Sequence, residues 1–103
     1  MTKNEILSKI KSLKESLKND GFIIDGVFGS LARNDFSDSS DVDILYHLEE
    51  AFFEKYGGFV GFKRLDEIKQ IISREVGKRV DIAPKNALSK TGKKYILNEV
   101  VYV

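Results

Sequence analysis

Two aspartates separated by one apolar residue, in Asp41-Val42-Asp43-Ile44, are the side chains best suited to chemistry. In a strand, positions i and i+2 share a face, so both carboxylates look the same way while Val42 and Ile44 turn toward a core. Acids so placed, with no base beside them in the sequence, repel one another unless a cation holds them. Asp81, set between Val80 and Ile82, repeats the pattern in a second apolar segment. Neighbouring strands lie ~4.8 Å apart, so a third carboxylate can join the first two. Three convergent carboxylates are what a one- or two-metal phosphoryl-transfer site requires. The plain alternative is a set of water-exposed acids at strand ends, because half-buried strands alternate polar and apolar residues.

Gly29-Ser30 adds a second element of chemistry. The pair follows an apolar segment and opens a short helical piece, where free backbone N–H groups favour an anionic phosphate. Glycine permits close backbone approach, and the Ser30 hydroxyl can donate to a phosphate oxygen. Other phosphate loops are excluded: the chain has no G-x-x-x-x-G-K-[ST] and no G-x-G-x-x-G, and Gly57-Gly58-Phe59-Val60-Gly61 fits neither. An EF-hand loop opening at Asp41 fails as well, since Leu45 and Tyr46 stand where Asp or Asn and Gly are needed. With no cysteine, disulfides, thiolate zinc sites and cysteine nucleophiles are ruled out. His47 is the only histidine, so a metal site must be mainly oxygen, which suits Mg, Mn or Ca.

The elements that must position these residues alternate between helical and extended patterns. Thr2 with Glu5 reads as a capping box, and Ile6, Leu7, Ile10, Leu13 and Leu17 recur at helical spacing up to a stop at Asn19-Asp20-Gly21. The lysines between them make an ordinary solvated face; no aromatic residues interleave as in a nucleic-acid-binding helix. Residues 22–28 read as a buried strand, 31–33 as the start of a short helix, 34–40 as a loop and 41–46 as a second strand. Residues 49–56 are ambiguous, with a helical turn as one reading, and are broken by Gly57-Gly58. Phe62, Leu65, Ile68, Ile72 and Val76 mark a long helix that stops near Gly77. A third strand is expected over 79–83, closed by Pro84, then a short helix over 93–98 and a last strand over 100–103. The reading is an α/β (α+β) fold, a small mixed sheet flanked by helices, in a single domain over residues 1–103.

Composition agrees with a folded globule: 103 residues, 42% hydrophobic, 32% charged and one proline. A chain of this length buries between ~60% and ~70% of its unfolded surface, enough for one core without staples. No apolar run approaches the ~20 residues of a membrane span, and residues 1–5 lack a signal-peptide core, so a cytoplasmic soluble protein is expected. The net charge of +1 hides a partition: residues 1–19 carry +3, residues 20–54 carry −8 and residues 55–103 carry +6. The acidic middle holds the Asp pair. Lys78, Arg79, Lys85, Lys90, Lys93 and Lys94 form a basic region that suits RNA or an acidic partner, or is simply solvated. The apolar run 100–103 would invite pairing if left as a free edge, so it should be covered within its own sheet or by a homodimer.

Val27-Phe28-Gly29-Ser30, ten residues, then Asp41-Val42-Asp43-Ile44 resembles the signature of the nucleotidyltransferase superfamily. Gly29-Ser30-Leu31-Ala32-Arg33 with Ser40-Asp41-Val42-Asp43 is similar to the minimal nucleotidyltransferases, the MNT antitoxins of HEPN/MNT toxin–antitoxin pairs. The resemblance covers most of the chain, down to Asp81 and Ile96-Leu97-Asn98-Glu99-Val100. It departs at Asn34, where that family usually has Gly. It implies two Mg ions and ATP as donor, with Gly29 and Ser30 on the triphosphate. Asp41 and Asp43 would ligate the metals, and Asp81 would complete the catalytic and metal site near the attacking hydroxyl. Arg33 would pair with phosphate or the partner protein; a surface ion pair to Asp35 or Asp38 is the alternative. His47 lies just beyond the strand of the Asp pair, where it could touch nucleotide or a proton; without a partner motif, a surface or strand-end histidine is the favoured reading.

The function so implied is transfer of AMP from ATP to a protein hydroxyl, a tyrosine on a HEPN-type toxin, silencing an RNase. A chain this short leaves little room for a small-molecule pocket, and the related antibiotic transferases carry a helical domain absent here. The alternative is a non-catalytic antitoxin or adaptor that neutralises its partner by contact.

Overall fold

A computed structural model describes residues 1–33 and 35–103; Asn34, the point of departure from the family pattern, lies outside the described residues. The capping box forms as the sequence implies. The Thr2 hydroxyl accepts the Glu5 N–H at 3.2 Å and Glu5 Oε1 accepts the Thr2 N–H at 3.0 Å, which starts helix α1 (Lys3–Leu17). Its inward stripe is Ile6, Ile10, Leu13 and Leu17, all buried.

Strand β1 (Phe22–Phe28) pairs antiparallel with β2 (Val42–Leu48), which pairs parallel with β3 (Val80–Pro84). A two-residue strand, β4 (Val101–Tyr102), adds antiparallel to the free side of β1, giving the order β3-β2-β1-β4. Helices α2 (Glu50–Lys55) and α3 (Phe59–Val76) make the crossover from β2 to β3, and α4 (Lys90–Glu99) leads into β4. Val42 and Ile44 of β2, Val80 of β3, and Ile24 and Val27 of β1 pack with α1 and with Ile68, Ile72 and Val76 of α3 in one core. Each such aliphatic side chain contributes about 1.5–3 kcal/mol by leaving water.

A register shift between Ile24 and Gly26 breaks the alternation of β1. Phe22 and Ile24 face the core, but the next inward residue is Val27 rather than Gly26. The bulge therefore turns Phe28 away from the core and sets it opposite Asp43. It aims the following turn at the acidic face of β2.

Several boundaries differ from those the sequence implies. Strand β2 opens at Val42, so Asp41 precedes it, and it runs on to Leu48. The turn after β1 is a single 3-10 turn over Gly29–Leu31, not a helix opening at Leu31. Helix α3 starts three residues early, and Phe62 is 74% exposed instead of marking the buried stripe. The inward position of that first turn belongs to Gly61, where a Cβ would stand only 2.7 Å from the Tyr56 carbonyl oxygen. Close backbone approach at Gly61 moves the stripe one position from Phe62. Strand β3 opens at Val80 and includes Pro84, tolerated at an edge. Helix α4 is longer than residues 93–98 because the Ser89 hydroxyl caps it, accepting the Gly92 N–H at 3.0 Å. Only Val101 and Tyr102 of the last run form a strand; β1 pairs one edge of it, but both side chains are exposed, so the run is covered less than the sequence implies.

Candidate active site

Strand alternation puts Asp43 on the face opposite the core, and the parallel register aligns Asp81 of β3 beside it. Asp41 lies just before β2 at the same end. The bulge of β1 delivers Gly29 against Asp43: a Cβ on Gly29 would fall inside contact distance of Asp43 Oδ2 and 3.2 Å from its Cγ. Gly29 also has φ +68, a left-handed backbone that side chains rarely adopt. Two independent restraints thus require glycine here. Leu31, two residues on, is fully buried and anchors the turn.

The Asp43 carboxyl is pushed above the usual carboxylate range, first by burial and then by the like charges of Asp81, Asp41 and Glu99, with Arg33 opposing. Asp43 therefore sits among like charges that Arg33 offsets only in part. Asp81 is largely exposed, with Lys69 Nζ 3.8 Å from its Oδ1. Among the described residues no three acidic or histidine side chains converge closely enough to enclose an ion. Asp41, Asp43 and Asp81 share an end of the sheet and an electrostatic field, but not a common coordination point. The fit to a divalent cation lies in the donors, which are all hard carboxylate oxygens, and in the like charges gathered around Asp43.

Arg33 makes one of the surface ion pairs read from the sequence, to Asp35, and adds a second acid. Its Nε donates to Asp35 at 3.3 Å, while Nη1 donates at 3.1 Å to Oε2 of Glu99, the last residue of α4. Oε1 of the same carboxylate accepts the Gly29 N–H at 2.8 Å. Glu99 was not foreseen as a site residue. It stands 70 positions from Gly29, and the one local signal is an acid in the last turn of a helix, the wrong end for the dipole.

His47 is not the unpartnered histidine read from the sequence: Nδ1 lies 2.9 Å from each carboxylate oxygen of Asp25. That pair sits at the far end of the acidic face of β2, four residues from Asp43. Lys78 likewise leaves the basic region, donating to the carbonyl oxygens of Ser37 and Asp38 and lying over the Phe36 ring. It ties the loop before β2 to the turn before β3. Ser30 is partly exposed beside Gly29.

A family model described as a nucleotidyltransferase domain matches residues 5–103. Protein adenylyltransferase MntA of Thermococcus cleftensis is 33% identical over 104 residues, covering 100% of this chain and 97% of that protein. A Methanocaldococcus jannaschii protein, provisionally named protein adenylyltransferase MJ0435, is 33% identical over 103 residues, covering 100% and 99%. Among solved structures, one provisionally described as a minimal nucleotidyltransferase superposes with TM-score 0.76 at 24% identity, covering 100% of this chain and 97% of that one. A chain from a crystal structure of a toxin–antitoxin with AMP-PNP superposes with TM-score 0.67 at 16% identity, covering 99% and 72%. These two share the fold.

Proposed function

The chain belongs to the nucleotidyltransferase domain family and is a nucleotidyltransferase, and from that premise we propose that it moves AMP from ATP to a hydroxyl of a partner protein. The observation that carries this reading is the packing of Gly29 on Asp43, which joins the phosphate-type turn to the acidic strand end. In this reading the Gly29 amide, the Ser30 hydroxyl and Arg33 hold the triphosphate. Asp41, Asp43 and Asp81 would hold two Mg ions, which would supply charge neutralisation of the phosphates. The acceptor oxygen attacks the α-phosphorus, the bond from that phosphorus to the β-phosphate bridging oxygen breaks, and pyrophosphate leaves. The acceptor proton passes to a carboxylate, for which Asp81 is the candidate because it is exposed toward an arriving partner.

A protein acceptor is favoured by the open acidic face and by exposed Phe53, Phe59 and Phe62, apolar surface that a macromolecular partner would cover. The named relatives are protein adenylyltransferases, and a structural neighbour is part of a toxin–antitoxin. The acceptor we assign is a tyrosine of a HEPN-type toxin RNase, so that modification makes the enzyme an antitoxin. No helix among the described residues is long and apolar enough to cross a membrane.

The test is incubation of the purified chain with labelled ATP, Mg and the protein encoded beside it, followed by intact mass and peptide mapping. One or more AMP units on a partner tyrosine is the expected result. Neutralisation of the partner without any mass gain would replace catalysis by binding alone.

A further inference from the structure

The Glu99 carboxylate occupies the two donors that the proposed triphosphate site would use, the Gly29 N–H at 2.8 Å and the Arg33 guanidinium at 3.1 Å. Local electrostatics oppose an acid at that position. The C-terminal end of a helix carries the negative end of its dipole, and α4 has no basic residue in its last turn. The Asp43 carboxylate lies against the same glycine, and Glu99 is one of the like charges that bear on it. A carboxylate is held there because a backbone amide and a guanidinium together make a site for two oxygens of one anion. The amide offers a single hydrogen, and a phosphate oxygen and a Glu99 oxygen of like charge cannot share it without repulsion.

On the reading that nucleotide phosphates bind at Gly29, we infer that Glu99 is a built-in competitor of the nucleotide. Its carboxylate fills the phosphate position of the Gly29–Arg33 site in the free enzyme and is displaced when the triphosphate binds. Displacement needs little rearrangement. The Glu99 side chain is already 30% exposed, and Arg33 keeps Asp35 as a second partner when Glu99 leaves. The α4–β4 junction stays anchored by the pairing of Val101 with Val27. Until displaced, Glu99 holds the amide and the guanidinium in the geometry that receives an anion, at a cost in apparent nucleotide affinity.

The experiment is calorimetric titration of the full chain with Mg and AMP-PNP, comparing wild type with Glu99→Gln and Glu99→Ala. Both variants should bind roughly three- to tenfold more tightly, the range expected for removing a partly exposed charged competitor. The Gln variant keeps the side chain's size, so a gain there cannot come from altered packing. In amide NMR spectra the Gly29 resonance should differ between free wild type and free Glu99→Ala, then coincide at saturating nucleotide. Equal or weaker binding by both variants, or a Gly29 difference that persists in the bound state, overturns the inference while leaving the nucleotide site standing. Failure of wild type and both variants to bind would remove the nucleotide site itself, and the competitor with it.

Discussion

Gly29→Ala tests the packing that joins the two halves of the site, and the structure supplies its own control. Gly29 and Gly77 have almost the same backbone, φ +68 and +66, but a Cβ at Gly77 meets nothing within 4 Å whereas one at Gly29 meets the Asp43 carboxylate. Gly77→Ala should therefore cost only the left-handed backbone penalty, about 1–2 kcal/mol. Gly29→Ala adds the displacement of a half-buried, two-torsion side chain from its rotamer, about 0.5–1.5 kcal/mol more. At roughly 4–8 °C per kcal/mol for a domain of this size, the two variants should differ in Tm by about 5 °C. Calorimetric melting measures that difference, and nucleotidyl transfer measures its consequence: Gly77→Ala stays active while Gly29→Ala, with Asp43 driven aside, loses transfer. Repeating Gly29→Ala in an Asp43→Ala background should bring its cost down to that of Gly77→Ala. If Gly29→Ala and Gly77→Ala match in the wild-type background, in melting and in transfer alike, the contact with Asp43 is of no consequence and the reasoning fails.

Asp43→Asn should abolish transfer while leaving the metal-free Tm equal or higher, because it removes a repelled charge; a lower Tm with transfer retained would make Asp43 structural. The pH dependence follows the same sign. Burial and the like charges of Asp81 and Asp41 raise the Asp43 pKa, so its ionised form opposes folding, and metal-free stability from this group grows as pH falls through the raised pKa. A pH series of melts should show that rise in wild type and lose it in Asp43→Asn. Asp20 behaves oppositely. Burial works against its charge, but hydrogen bonds from Arg64 and Tyr56 and the charges of Arg64 and Lys55 outweigh it and lower its pKa. Its stabilisation is full above the ordinary Asp range and is lost as pH falls through the lowered value. Asp20→Asn should cost about 1–3 kcal/mol in neutral-pH denaturation. Ser30→Ala should weaken ATP use less than loss of Asp43 does, since the Gly29 amide remains; unchanged kinetics at limiting ATP would move the phosphate site elsewhere. Deleting residues 100–103 removes β4 and the partly buried Val103, and should lower Tm, or dissociate a homodimer if light scattering finds one.

What the sequence revealed of this molecule was mostly what depends on near neighbours. Thr2 and Glu5, three apart and just ahead of an apolar stripe at helical spacing, specify a cap, and Asp43 between Val42 and Ile44 specifies the two faces of a strand. The match of Asp43 with Asp81 was legible because each lies between two β-branched residues that both want the core. Phe62 misled because an apolar side chain at helical spacing was trusted over a glycine, yet Gly61 holds the inward position through backbone proximity. The Asp25–His47 pair was hidden by the bulge at Ile24/Gly26, which no alternation rule anticipates. Glu99 was invisible for a different reason. Its partners are an amide hydrogen, which has no residue type, and an arginine already claimed by Asp35 nearby.

The double pairing of Val27, with Ile44 on one side and Val101 on the other, sets an order of assembly. Closing the second contact spans more than four times the sequence length of the first, an added loop entropy of about 1 kcal/mol. Contact order accordingly favours β1–β2 with α1 as the early structure, the β2–β3 crossover next, and β4 last. Gly29 follows directly on the β1–β2 ladder that holds Asp43, so this order brings the two together before α4 docks and makes the Glu99–Gly29 contact a late one. On a ribosome that contact cannot form until residues 99–102 are synthesised. The Gly29 amide is therefore the part of this turn that waits longest for its own partner in the chain.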